Sequence, residues 1–284
     1  MEKHRNEYQV GRMCLLLSLS RSGYYAWRRN PTGVRAGENR RLMQHIGLIY
    51  AEGCGEYGTP TVYQVLRQWG WRVNHKRVER LMRRMGLFSK VIKKFKKTTK
   101  RCGDQLASPN LLEQNFTTEG PNLVWVSDIT FLWTVEGWLY LTAVKDLWSR
   151  RIVGYAITNH LRAEAVLESL EMAFRHRKVR PGMIFHSDRG KQYVDHRVRD
   201  LLTAYGIQQS MSSTGNCYDN APAESFFATL KKGHLFWGSP FLTREEARRR
   251  IIDYLDVFYN CVRRHSSLGY KSPVAFELQH AILA

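Results

Sequence analysis

Three carboxylates, Asp128, Asp188 and Glu224, stand on three separate segments of the chain. Asp128 interrupts the apolar run Trp125-Val126-Ser127-Asp128-Ile129-Thr130-Phe131, and an acid there is costly unless it is paired or bound to a cation. Asp188 follows the apolar stretch Met183 to His186, in the words His186-Ser187-Asp188-Arg189-Gly190. Glu224 falls in the first turn of a helix opened by Pro222, and 35 residues separate it from Asp188. Oxygen ligands from three separate elements suit hard cations such as Mg2+ or Mn2+, which keep waters and bind substrate phosphates. Each acid alone has an ordinary explanation: Asp128 could pair with an arginine, Asp188 could be a turn acid, and Glu224 could favour the positive end of a helix. Their order and spacing together argue for chemistry. The five cysteines (Cys14, Cys54, Cys102, Cys217, Cys261) are scattered, with no Cys-x-x-Cys pair, so neither zinc nor a disulfide framework is expected.

The elements that must carry these acids begin at residue 121. Val124 to Leu132, Trp138 to Val144 and Arg151 to Ile157 read as three strands joined by short links, an antiparallel meander. Val166, Leu167, Leu170, Ala173 and Phe174 then fall in helical register. Met183 to His186 is a short strand delivering Asp188 at its tip. Asp195 to Tyr205 is a helix, Ile207 to Ser210 a fifth strand, and Pro222 to about Lys232 the helix bearing Glu224. Three antiparallel strands, a helix, then strand, helix and strand is the order of a ribonuclease-H-like α/β fold, with a mixed five-stranded sheet.

The amino-terminal third has another character. Residues 1–101 hold 23 Lys+Arg against 6 Asp+Glu, a net of +17, whereas residues 102–284 hold 21 against 19, a net of +2. Such asymmetry points to a nucleic-acid-binding arm on a nearly neutral body. Val10 to Leu17 and Arg21 to Trp27 read as two short helices, and Asn30-Pro31-Thr32-Gly33 as a loop. Thr59 is the expected cap of a helix with Pro60 at its first position, ending near Gly70, and Asn74 caps a second helix that stops at Gly86. In that second helix Val78, Leu81, Met82 and Met85 form one apolar stripe, while Lys76, Arg77, Arg80, Arg83 and Arg84 form a basic back. A helix of this kind, following another after a short turn, suits DNA docking. Between residues 76 and 101 there are 12 basic residues, Lys93 and Lys94 among them, and one acid, Glu79. That density predicts a phosphate-tracking linker. No apolar run approaches the roughly 20 residues that cross a bilayer, and a cytoplasmic protein is expected. The segments read as 1–36 small and helical, 37–89 helix-turn-helix-like and DNA-binding, 90–120 a basic linker, 121–232 the catalytic core, and 233–284 a helical extension.

The triad with its 35-residue gap resembles the DDE superfamily of transposases and retroviral-type integrases, and Lys231, seven residues beyond Glu224, matches that superfamily's added basic residue. Three sets of words narrow the resemblance: His186 to Tyr193; Ser210-Met211-Ser212 through Gly215-Asn216-Cys217-Tyr218-Asp219-Asn220-Ala221; and Tyr259-Asn260, Arg263, His265, Leu268-Gly269-Tyr270, Ser272-Pro273. Together with Ser20 to Trp27 they look like bacterial insertion-sequence transposases, the second-reading-frame (orfB) product of the insertion-sequence-three family. The resemblance spans essentially the whole chain. It implies an integrase-like catalytic core, strand cleavage and transfer on DNA with two Mg2+ ions (Mn2+ as substitute), Asp128 bridging both, Asp188 and Glu224 completing one site each, and Lys231 on a phosphate. It leaves His186 either tuning the site or packing beside it. It also implies a homo-oligomer acting on element ends and target DNA, and an upstream-frame (orfA) partner, since no sustained heptad occurs in this chain. Two other readings stand beside it: a DNA-binding regulator with a vestigial triad, and a nuclease on the same fold that cuts without joining.

Overall fold

Runs that alternate or are wholly apolar over five to eleven residues have one stable solution here, a sheet covered on both faces. The computed structural model describes residues 1–29, 33–90, 108–213, 217–237 and 240–283. The chain divides into two compact units, Met1–Glu52 with Tyr57–Phe88, and Gly53–Glu56 with Ser89–Ala284.

The second unit holds the sheet. Strands β1 (Val124–Thr134), β2 (Gly137–Asp146), β3 (Ile152–Thr158), β4 (Ile184–Ser187) and β5 (Gln208–Met211) lie in the order β3-β2-β1-β4-β5. The first three are antiparallel neighbours, while β4 runs parallel to β1 and β5 parallel to β4. This is the ribonuclease-H-like arrangement, and every expected strand is present within two residues at each end.

Helices of this unit and the first are labelled in chain order: α1 (Val10–Leu16), α2 (Arg21–Arg29), α3 (Gly33–Glu52), α4 (Thr59–Gln68), α5 (His75–Arg84), α6 (Ala163–His176), α7 (His196–Ala204), α8 (Ala221–Lys232), α9 (Arg244–Asp253) and α10 (Pro273–Leu283). One face of the sheet, carrying Trp125, Val144, Val153 and Phe185, is covered by α6 and α7 through Val166, Leu170, Val198 and Leu202. Gly154 lets α6 close on β3, because a Cβ there would stand 2.1 Å from the Ser169 carbonyl oxygen. Against the other face, Phe226, Phe227 and Leu230 of α8 and Ile251 of α9 pack on Leu132, Leu139 and Leu141. Helix α9 continues as π-helical turns over Tyr254–Val262.

In the first unit the apolar side chains of α3, α4 and α5 share one core: Leu42, Ile46, Ile49, Val62, Val65, Leu66, Val78, Leu81 and Met82. Two expectations are corrected here. Gly58, not Thr59, is the N-cap residue of α4, so Pro60 sits at its second position, where a missing N–H still costs nothing. The predicted loop is cut short because Gly33 already opens the 20-residue helix α3, an element not foreseen. Asn74 caps α5 as expected, accepting from the Lys76 N–H at 2.9 Å.

Candidate active site

Sheet register brings the two aspartates together. Val126 of β1 pairs with His186 of the parallel β4. Two residues further along come Asp128, still within β1, and Asp188, the residue that follows the end of β4. The two-residue side-chain period puts Asp128 on the face of Val124 and Val126, over which Ala223 of α8 packs. Glu224 is the next residue of that helix.

The electrostatics report the same gathering. Burial pushes the Asp128 carboxyl up to about 8, with the charges of Asp188 and Glu224 adding to the rise, against a lowering by the Ile129 N–H and by Lys231. The Lys231 amine is held below its ordinary value by partial enclosure, offset by attraction to Asp128, although the residue as a whole is exposed. One sheet end thus holds three like charges and one cation, a donor set whose repulsion a divalent cation would relieve. Among the described residues no three such side chains converge into a ready cage, so the acids are neighbours without being closed on one point.

What fixes each acid is a set of buried polar contacts. Nδ2 of Asn220 donates to the Ser127 carbonyl at 3.1 Å, tying the start of α8 to β1 beside Asp128. The ammonium of Lys145, on β2, donates to the Pro222 carbonyl at 3.0 Å and is 6% exposed. The Gly190 N–H donates to Asp188 Oδ1 at 3.0 Å, and a Cβ at 190 would stand 3.0 Å from that same oxygen. His186 is fully buried, with Nδ1 2.8 Å from Ser210 Oγ and Nε2 3.3 Å from Ser212 Oγ. Burial holds it down to about 4, against a raising influence from Asp219. Its ring is thus held between Ser210 and Ser212, two residues before Asp188. Asp219, in turn, accepts from the Ser213 N–H at 2.7 Å and from Asn110 and Gln114 amides at 3.0 Å each.

The carboxy-terminal words serve as scaffolding in the same way. Asn260 exchanges hydrogen bonds with the Ile152 N–H and C=O at 2.9 and 3.0 Å, and the Tyr259 hydroxyl reaches the Arg150 carbonyl. Arg263 pairs with the buried Glu56, which also takes His234 Nδ1 at 2.9 Å. Sequence reasoning missed Lys145 and Glu56. Only tertiary structure brings either to its partner.

The basic residues of α5 divide. Lys76, Arg80, Arg83 and Arg84 are exposed, Arg83 pairing with Glu79 at 2.9 Å. Arg77 is turned inward to Glu38 and Asn39, at 2.9 Å each. Lys93 and Lys94 lie outside the described residues.

This chain is 38% identical over 281 residues to the transposase InsF for insertion sequence IS3A of Escherichia coli K12, covering 98% of itself and 96% of that protein. It belongs to the transposases of the IS3 family. A second relative is the insertion element IS600 uncharacterized 31 kDa protein of Shigella sonnei, 40% identical over 272 residues, with coverage of 96% and 100%. The Integrase core domain family matches residues 118–217 and, in a second form, 205–273, and the HTH-like domain family matches residues 38–95. Among solved structures, the catalytic core domain of BIV integrase is 18% identical with a TM-score of 0.42, over 57% of this chain and 99% of that one. The Mos1 transposase catalytic domain, determined with raltegravir and Mg, is 15% identical with a TM-score of 0.40, over 48% of this chain and 72% of that one. The transposase is thus an enzyme of DNA strand cleavage and transfer, with DNA as its partner. Among its described residues no helix is long and apolar enough to cross a membrane.

Proposed function

We propose that Asp128, Asp188 and Glu224 are the catalytic carboxylates of this transposase and hold two Mg2+ ions, with Mn2+ as a substitute. Asp128 would be shared by the two ions, with Asp188 contributing to the hold on one and Glu224 on the other. The observation that carries this reading is that the parallel pairing of β1 with β4 ends two residues before both aspartates, with the charges of Asp188 and Glu224 both felt at Asp128. When bound, the ions activate the attacking oxygen and stabilise the leaving one.

The remaining roles fall to the chain's own groups. Water attacks phosphorus at an element end and the bond to the 3′-oxygen breaks, freeing a 3′-hydroxyl. That hydroxyl then attacks a second phosphodiester, whose own 3′-oxygen leaves. No Ser or Tyr nucleophile is needed. Lys231 holds a phosphate beside the cut, while Lys145 and Asn220 set the first turn of α8. Lys76, Arg80, Arg83 and Arg84, in a DNA-binding segment spanning 37–89, and the linker residues Lys93 and Lys94 track phosphates. The segment 121–232 forms the core, 1–36 a helical lead and 233–284 the extension that braces α8. The enzyme works as a homo-oligomer in the bacterial cytoplasm, on two element ends and a target, together with the upstream-frame product.

The test is Mg2+-dependent cleavage and joining on a plasmid carrying the DNA that flanks the gene, wild type beside Glu224→Gln. Joined products from wild type alone support the reading. Hydrolysed ends without joints would instead favour a nuclease. Equal activity in both proteins would remove Glu224 from the site.

A further inference from the structure

Residues 108–116 fall within the stretch expected to be a basic linker, yet Ser108-Pro109-Asn110-Leu111-Leu112-Glu113-Gln114-Asn115-Phe116 holds no Lys or Arg. The segment forms neither helix nor strand, and its bonds go to the sheet and to the turn before α8. Strand β5 is the last of the sheet, an edge whose backbone groups would otherwise lie open. Here the Met211 N–H donates to the Pro109 carbonyl at 3.2 Å and the Leu111 N–H to Ser210 Oγ at 2.9 Å. Ser108 Oγ donates to Gln209 Oε1 at 3.0 Å. Leu112 is 5% exposed and shares one cluster with Val124, Val126 and Ala223.

Asp219 anchors the segment. It is 2% exposed and lies in the short helical turn Cys217–Asn220 that leads into α8. A carboxylate only accepts, and the Ser213 N–H and the amides of Asn110 and Gln114 all donate to it. The Asn110 amide is fixed in that sense, because its Oδ1 accepts the Leu112 and Glu113 N–H groups at 3.1 and 3.2 Å. These contacts end beside all three acids. Asn220, next to Asp219, holds the carbonyl of Ser127, one residue before Asp128. Ala223, clustered with Leu112, is one residue before Glu224. Ser210, which takes the Leu111 N–H, bonds His186, two residues before Asp188.

We propose that residues 108–116 brace the reaction centre, with Asp219, Asn110 and Leu112 as positioning residues that set the start of α8, and hence Glu224, against Asp128 on β1. This rests on the reading of Asp128, Asp188 and Glu224 as the catalytic carboxylates. Like charges repel, so no attraction among the three acids sets their spacing; bonds to their neighbours do. A displacement of about 1 Å costs on the order of 100-fold in rate.

The experiment measures single-turnover strand joining well below Tm, the half-saturating DNA concentration, and the Mg2+-induced rise in Tm, all on the full chain. It compares wild type with Asp219→Ala, Leu112→Ala, Asp219→Asn and Glu224→Gln. Asp219→Ala and Leu112→Ala are expected to join roughly 10–100-fold more slowly at saturating DNA, with half-saturation within about twofold of wild type. Their Mg2+-induced rise in Tm should shrink. Asp219→Asn keeps an acceptor for Asn110 and the Ser213 N–H, and the exposed Gln114 can turn its amide over to accept. It should therefore recover most of the lost rate and of the Mg2+ shift. A wild-type rate in either folded alanine variant would overturn the proposal, since a residue that only stabilises the fold lowers Tm without slowing the folded enzyme. So would Asp219→Asn as slow as Asp219→Ala, which would make the charge itself the requirement. If Asp219→Ala does not fold, the rate of Leu112→Ala decides. An active Glu224→Gln would overturn the carboxylate reading, whereas an inactive one beside fast alanine variants would overturn the brace alone.

Discussion

Replacing Asp128 by asparagine should make the metal-free protein more stable while abolishing cleavage and joining. In the fold the carboxyl is pushed up to about 8 from an ordinary 3.8, by burial first and then by Asp188 and Glu224. An acid with a raised folded value binds its proton more tightly folded than unfolded. Stability therefore falls as pH rises through the window from 3.8 to about 8, and the full penalty stands above it. At pH 7, with 1.36 kcal/mol per pH unit, the penalty is at most about 4 kcal/mol, and partial solvent access brings it to ~2 kcal/mol. Asparagine fills the same space without the penalty. For a protein of this size the gain corresponds to roughly 4–8 °C in Tm, shrinking toward zero by pH 4. The assay is thermal unfolding from pH 4 to 8, in EDTA and in excess Mg2+. Mg2+ at ten times its Kd should add about 1.4 kcal/mol to wild type and little to Asp128→Asn. A variant no more stable than wild type in EDTA at pH 7, together with equal Mg2+ shifts in the two proteins, would refute the reasoning.

Outcomes at four other residues follow from the same geometry. Lys145→Met removes an ammonium that burial, helped by Arg150, holds down to about 7. Its folded value lies below the unfolded 10.5, so its penalty is full below pH 7 and fades by about 10.5. After allowance for the lost bond to Pro222, the variant should gain about 1–3 kcal/mol near pH 7 and cleave more slowly, read by Tm against pH and by single-turnover rate. Arg80→Ala should weaken DNA binding and lower its salt slope by about 1. Arg77→Ala, which breaks the contacts to Glu38 and Asn39, should instead lower Tm with the salt slope unchanged. His186, held near 4 by burial, should leave no step in the rate profile between pH 5 and 8, while His186→Ala should cost about 1–3 kcal/mol of stability.

The sheet was legible because its strands are dense in β-branched and aromatic residues and bounded by turns, as Glu136-Gly137 and Pro181-Gly182 show. Helix α3 was not. Its buried stripe is Leu42, Ile46 and Ile49, but Gly37, Gly47 and a run of charged residues dilute the period, and packing against α4 and α5 stabilises what local propensity leaves weak. The three acids were legible because an acid in an apolar strand, an acid at a strand tip and an acid in a first helical turn are each conspicuous. The groups that hold them were not, since their partners lie far along the chain: 93 residues from Ser127 to Asn220 and 77 from Lys145 to Pro222.

Lys145 shows why no closer reading of β2 would have found it. In a strand with one wet face a lysine is assigned to solvent, and the two-residue period then sorts its neighbours. Strand β2 is the second of five and is buried on both faces from Leu141 to Asp146, so the period sorts nothing there: seven of its ten residues, Lys145 and Asp146 among them, are buried. A lysine in such a strand needs a local acceptor. The carbonyl of Pro222 provides one in the first turn of the helix that carries Glu224. Leucine or methionine would fill that volume at lower cost. What the ammonium adds is a directed bond between the central sheet and the helix of the third carboxylate, and a variant that is more stable but slower would be the signature of that role.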